Sequence, residues 1–175
     1  MSPDHIAQPP HAADNPDRAF ARAIHLIVVR HGQADNNAGE RFGGWSDVPL
    51  TARGHAQAQA TAAHLAPLRP ARIISSDLRR AAQTAHAIAR ATGGSLEFDR
   101  NLRERSVGDL DGMAFAEAEA RYPELVAALR RRDPDAAPPG GERTIDVYTR
   151  VAAALRDAAA PDRPGQTVVL VRHGI

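Results

Sequence analysis

Ile24-His25-Leu26-Ile27-Val28-Val29-Arg30-His31-Gly32 sets a run of aliphatic, mostly β-branched residues directly before an Arg-His-Gly triplet. Thr167-Val168-Val169-Leu170-Val171-Arg172-His173-Gly174 repeats the arrangement near the end of the chain. Runs this short and this rich in branched side chains predict strands buried on both faces, as in a parallel sheet. Each delivers a His-Gly turn at its C-terminal end, the rim where α/β proteins bind ligands. Two imidazoles on one rim with arginines beside them point to a site for an anion and for chemistry on it.

Working outward, Arg72-Ile73-Ile74-Ser75 predicts a short strand and Leu96-Glu97-Phe98 a weaker one. Thr51 is a candidate N-cap for a helix to about Leu65, stopped by Pro67 and Pro70. Asp77 is expected to cap a second helix to about Ala91, ended by Gly93-Gly94. Phe115 to about Arg131 predicts a helix interrupted or kinked near Pro123. Thr144 to about Ala158 predicts another, with Ile145, Tyr148, Val151, Ala152 and Leu155 on its apolar face. His31 to Pro49, Leu102 to Gly112 and Asp133 to Gly141 read as loops. Strands alternating with helices predict an α/β layered domain with a mostly parallel central sheet.

The 175 residues fit one domain. Met1 to about Arg22 lacks both a basic start and an apolar core, so it reads as a disordered leader rather than a secretory signal, with residues 23–175 as the domain. His5 and His11 in the leader read as solvated. A net charge of +1 offers no basic surface for nucleic acid. There is no cysteine for a disulfide or thiolate metal site. No apolar run approaches the ~20 residues of a membrane span. Neither His31 nor His173 has a third His or carboxylate at metal-ligand spacing, so no metal and no cofactor is expected.

A phosphoester carries about two negative charges near neutral pH. Arginine matches it with a planar, always-charged fork. Arg30 and His31 are adjacent, so one can hold the anion while the other attacks it. Neutral imidazole is a competent nucleophile whose covalent intermediate divides one hard step into two. Arg79 or Arg80, at the start of the second helix, would reinforce the site with the helix dipole; periodicity does not choose between them. Glu104 is the candidate proton donor, its pKa raised by desolvation and lowered by flanking arginines. Trp45 lines the pocket or covers core. Glu142 closes a loop or caps the next helix. Arg130-Arg131-Arg132 reads as a solvated helix end.

Here the residues become familiar as a set. They are Val29-Arg30-His31-Gly32, Asn37, Arg41 to Gly54, Gln57-Ala58, Ser75 to Ala81 and Gln83-Thr84-Ala85. They continue with Leu102-Arg103-Glu104-Arg105, Gly108, Gly112, Pro139-Gly140-Gly141-Glu142 and His173-Gly174. In this order, from about Ile24 onward, the chain resembles the histidine phosphatase superfamily and its phosphoglycerate-mutase-like branch. The resemblance implies a three-layer α/β sandwich and metal-independent chemistry. It implies His31 as the phosphorylated nucleophile, Arg30, Arg80 and His173 as the phosphoryl pocket, and Glu104 as acid/base. Arg80 rather than Arg79 matches the arginine before Ala in the motif. Asn37 and Gly44 match substrate contacts of the mutases.

Three departures stand out. Arg172 occupies the place of the usual Ser. Ser106-Val107-Gly108 and Met113-Ala114-Phe115 lack the aromatic residue and Lys by which mutases hold phosphoglycerate, which favours a phosphatase. The sequence stops at Ile175, where relatives continue through a helix and a strand, so the last strand is expected to be poorly covered. The expected function is a cytoplasmic phosphomonoester phosphatase acting on a small phosphorylated metabolite through a phosphohistidine, without nucleic-acid or membrane partners. The alternatives are a cofactor-dependent phosphoglycerate mutase and a truncated, non-catalytic phosphate binder.

Overall fold

The computed structural model describes residues 23–35, 40–160 and 165–174. The expected leader and Asn37 lie outside the described residues. Four strands, β1 (His25–Arg30), β2 (Arg72–Ser75), β3 (Ser95–Phe98) and β4 (Thr167–Arg172), form one sheet. Their order is β1-β4-β2-β3, all parallel. The last strand in sequence is therefore inserted between the first two, with Arg172 opposite Arg30. That insertion creates the switch point at which α/β sheets bind ligands.

Two helices, α1 (Ala52–Leu65) and α2 (Arg79–Thr92), cover one face of the sheet. Their buried faces are rich in alanine, including Ala58 and Ala62 on α1 and Ala81 and Ala85 on α2. Small side chains let the two helices pack closely. Together they bury Ile73, Val169 and Val171. A third helix, α5 (Thr144–Ala158), covers the opposite face over Ile74, Val168 and Leu170. β4 thus alternates its side chains between two cores, as its pleat requires. The result is the three-layer sandwich expected. A smaller core of Val107, Leu110, Ala118 and Val126 gathers under α3 (Phe115–Arg121) and α4 (Pro123–Arg130). The helix expected to be interrupted or kinked near Pro123 is interrupted there, giving α3 and α4.

Five expectations are corrected. The last strand, expected to be poorly covered, lies inside the sheet between β1 and β2 with a helical layer on each face, and Val168 to Val171 are at most 1% exposed. β1 is not buried on both faces: it lies at the sheet edge, with Val28 54% exposed. A continuous apolar run does not distinguish an edge strand from a central one. Asp77 does not cap α2. The N-cap is Leu78, and Asp77 instead forms a two-bond ion pair with Arg103 at 2.5 and 2.6 Å. On α5 the buried residues are Thr144, Val147, Val151, Ala154 and Ala158, while Ile145 and Tyr148 face solvent. Glu142 does not cap α5, whose N-cap is Arg143. By contrast, Thr51 caps α1 as expected, accepting from Gly54 N–H at 3.0 Å. No helix among the described residues is long and apolar enough to cross a membrane.

Candidate active site

The sheet ladder runs past the strand ends and gathers the site. His31 N–H donates to the Arg172 carbonyl at 3.1 Å, and Ser76 N–H to the Val171 carbonyl at 3.0 Å. The turn after β1 is pressed against α1. A side chain at Gly32 would meet the Gly54 carbonyl oxygen at 2.4 Å, and one at Gly54 would meet that of Gln33 at 2.0 Å. Two glycines are therefore needed where the chain leaves His31. An open cleft of about 280 Å³ lies beside Arg30, His31 and Gly32, walled by Gln57, Thr61 and Thr84.

The rings of His31 and His173 stand 4.8 Å apart, tilted by 59°. Both are buried. His31 Nδ1 lies 2.7 Å from the Gly32 carbonyl. A carbonyl only accepts, so Nδ1 carries the proton and Nε2 keeps its lone pair in the neutral ring. Burial, with help from the charges of Arg80 and Arg30, lowers the His31 pKa to about 4 against the opposing pull of the Gly32 carbonyl. His173 is lowered to about 2, first by burial and then by Arg80 and His31. Its Nε2 lies 2.9 Å from Ser76 Oγ. Its Nδ1 is buried without a hydrogen-bond partner among the described residues.

Arg80 is 1% exposed, whereas Arg79 faces solvent. Burial thus separates two arginines that periodicity could not. The Arg80 guanidinium donates from Nη1 to the Ser46 carbonyl and from Nη2 to the Gly44 carbonyl, both at 2.9 Å. Asp111 holds that same loop, its two oxygens accepting from Gly44 N–H at 2.9 Å and Ser46 N–H at 2.7 Å. Gly44, expected to contact substrate, has both backbone groups committed in this way. Arg30 is exposed and lies over Gly174, where a side chain would come within 2.9 Å of its guanidinium.

Glu104 is half-buried, and Oε1 accepts from Arg105 N–H at 2.9 Å. Burial raises its pKa against that bond and the charges of Arg80, Arg172 and Arg30. The flanking arginines, expected to oppose it, are turned elsewhere. Arg103 pairs with Asp77, and Arg105 bonds the Glu142 and Ala136 carbonyls and Thr144 Oγ1. Arg172 stands at the end of β4, near enough for its charge to act on Glu104 and His173. Trp45 is a rim residue: its Nε1–H donates to the Glu104 carbonyl at 2.9 Å, and Arg103 lies 4.9 Å over its ring.

The structure thus brings together His31, His173, Arg30, Arg80 and Glu104. Sequence reasoning gave no role to Asp111 or to Ser76 as the partner of His173. Nothing in the sequence separates Asp111 from Asp109, whereas Ser76 was visible inside the quoted Ser75-to-Ala81 motif. Among the described residues no three His, Asp or Glu side chains gather as a metal ion would need.

Residues 26–175 match the histidine phosphatase superfamily (branch 1). A glucosyl-3-phosphoglycerate phosphatase of Mycobacterium tuberculosis is 39% identical over 160 residues, covering 87% of this chain and 71% of that protein. A 2,3-bisphosphoglycerate-dependent phosphoglycerate mutase of Cytophaga hutchinsonii is 35% identical over 152 residues, covering 85% and 71%. The solved mycobacterial glucosyl-3-phosphoglycerate phosphatase in complex with VO3 superposes with a TM-score of 0.75 at 41% identity, covering 88% of this chain and 76% of the other. With its ordered motifs, its sheet topology and the paired histidines at the switch point, this chain belongs to the histidine phosphatase superfamily, branch 1.

Proposed function

We propose that this chain hydrolyses phosphomonoesters in two steps through a phosphohistidine at His31. The observation that carries the reading is the His31 Nδ1–Gly32 carbonyl bond in a pocket that keeps the ring neutral. It leaves Nε2 as the nucleophile. Arg30 and Arg80 hold the phosphoryl oxygens, and their charge opposes the negative charge of the transition state. Ser76 Oγ–H donating to His173 Nε2 would leave Nδ1–H to bond a third oxygen.

In the first step the Nε2–P bond forms and the bond from phosphorus to the ester oxygen breaks. The departing oxygen takes a proton from Glu104. Oε1 is already bonded to Arg105 N–H, so Oε2 is the oxygen that carries this proton. In the second step water attacks phosphorus, the N–P bond breaks, and Glu104 recovers a proton from the water. Orthophosphate leaves.

The substrate class that fits is a small, anionic phosphate ester of the glucosyl-3-phosphoglycerate kind, the substrate in the name of the mycobacterial relatives. Such esters do not cross a bilayer unaided, so the cytoplasm is the proposed setting. Acid-quenched and base-quenched turnover tests the reading. Wild type should show a base-stable, acid-labile phosphoenzyme and release orthophosphate, and His31→Ala should do neither. Wild-type turnover by His31→Ala refutes the assignment. Phosphoglycerate interconversion without net orthophosphate release refutes the phosphatase reading.

A further inference from the structure

The segment that carries Glu104 is anchored by an ion pair far from it in sequence. Glu142 follows the Pro139-Gly140-Gly141 turn, and Arg150 lies within α5. Arg150 Nε and Nη2 donate to the two oxygens of Glu142, each at 2.9 Å. The same guanidinium reaches the backbone around Glu104. Nη1 donates to the carbonyls of Asn101 at 2.7 Å and Arg103 at 2.8 Å, and Nη2 to the carbonyl of Glu104 itself at 2.9 Å. Glu142 completes the grip. Its Oε2 accepts from Ser106 N–H at 2.8 Å, and its own N–H donates to the Ser106 carbonyl at 2.9 Å.

The main chain on both sides of Glu104 therefore ends on one pair. The two side chains are only 16% and 23% exposed, so water competes weakly for these bonds. Bonds to charged groups are roughly twice as strong as neutral ones. The link to the carboxyl is direct. Glu104 Oε1 is tied to Arg105 N–H, so the carboxyl follows the backbone that the pair fixes. The turn is built to allow this approach: a side chain at Gly141 would meet the Ser106 carbonyl oxygen at 2.7 Å.

From this we infer that Glu142 and Arg150 are positioning residues that set the Glu104 carboxyl for proton transfer to the leaving oxygen. The inference rests on the acid role proposed above for Glu104. A proton donor works only within hydrogen-bond reach of its acceptor. A displacement of about 1 Å at such a group costs up to ~100-fold in rate. Glu142 and Arg150 have no need to touch substrate for this.

The test compares two esters on the same enzyme. 4-Nitrophenyl phosphate has an acidic leaving group that departs without a proton. Glycerol 2-phosphate has an alkoxide leaving group that needs one. For Glu104→Gln, kcat/KM, which reports only the steps up to departure of the leaving group, should fall ~100-fold or more on the glycerol ester and far less on the nitrophenyl ester. Arg150→Met and Glu142→Gln should give the same pattern at smaller size. The expected losses in kcat/KM are ~10-fold on the glycerol ester and under ~3-fold on the nitrophenyl ester. Arg150→Lys keeps the charge but loses the fork, and should fall between wild type and Arg150→Met.

Thermal melts identify any variant that fails to fold. Glu142→Gln, nearly isosteric and still able to accept from Ser106 N–H, is the variant that decides in that event. Equal losses on both esters, or none, beside a discriminating Glu104→Gln overturn the inference alone. A Glu104→Gln enzyme that does not discriminate overturns the acid assignment and this inference with it.

Discussion

Lowering the pH from 7 to 5 should destabilise this protein through the two histidines of its site. An imidazole in the unfolded chain titrates near 6.5. In the folded protein burial holds His31 at about 4 and His173 at about 2. Both folded values lie below the unfolded one. In the window between them the unfolded chain binds more protons, so stability falls as pH falls. Between pH 7 and pH 5 each histidine should remove about 2 kcal/mol, a figure set by the unfolded value because both folded values lie below pH 5. The pair together removes about 4 kcal/mol from a domain whose net stability is ~5–15 kcal/mol. Glu104 works in the opposite sense. Its carboxyl is raised by burial, so the folded state takes up that proton first and gains stability on acidification. The histidine share is isolated by difference. Urea unfolding at pH 7, 6 and 5, without phosphate, is compared between wild type and the His31→Gln/His173→Gln double variant. The wild-type curve should fall more steeply by about 4 kcal/mol across the range. Parallel curves would refute the claim that both imidazoles are held neutral by burial.

Three further outcomes are expected. Arg80→Ala should lower kcat/KM by ~100-fold or more, and Arg79→Ala far less, because only Arg80 is buried and fixed by two carbonyls. Equal losses remove that distinction. Asp111→Asn, which can accept only one of the two loop N–H groups, should weaken orthophosphate binding by calorimetry ~10-fold, a cost of about 1.4 kcal/mol; an unchanged Kd would show that the loop holds Arg80 without it. If His31 is the nucleophile, turnover should survive excess chelator and be inhibited by vanadate, a mimic of trigonal-bipyramidal phosphorus. Loss of activity in chelator that is restored by Zn²⁺ or Mg²⁺ would refute the metal-independent mechanism.

Much of this site was legible in one dimension. The strand-then-His-Gly pattern, the Thr51 cap, the span of β2 and the ordered motifs are local signals, fixed by side-chain branching, capping chemistry and turn geometry. They sufficed to name the family and the residues gathered at the rim. What they left open depends on which segment lies beside which. Ile24 to Val29 and Val168 to Val171 read alike, yet β1 forms an edge and β4 the centre, because strand order is a property of the assembled sheet. The apolar stripe expected on α5 misplaced its buried face, because Ile145 and Tyr148 turn away from the layer that covers the sheet. Asp77 could cap a helix or pair with an arginine 26 residues away, and only proximity in space chose Arg103. The choice between Arg79 and Arg80, the rise in the Glu104 pKa and the support given by Asp111 are of the same kind. Each depends on burial or on a partner distant along the chain, and neither exists until the layers have packed.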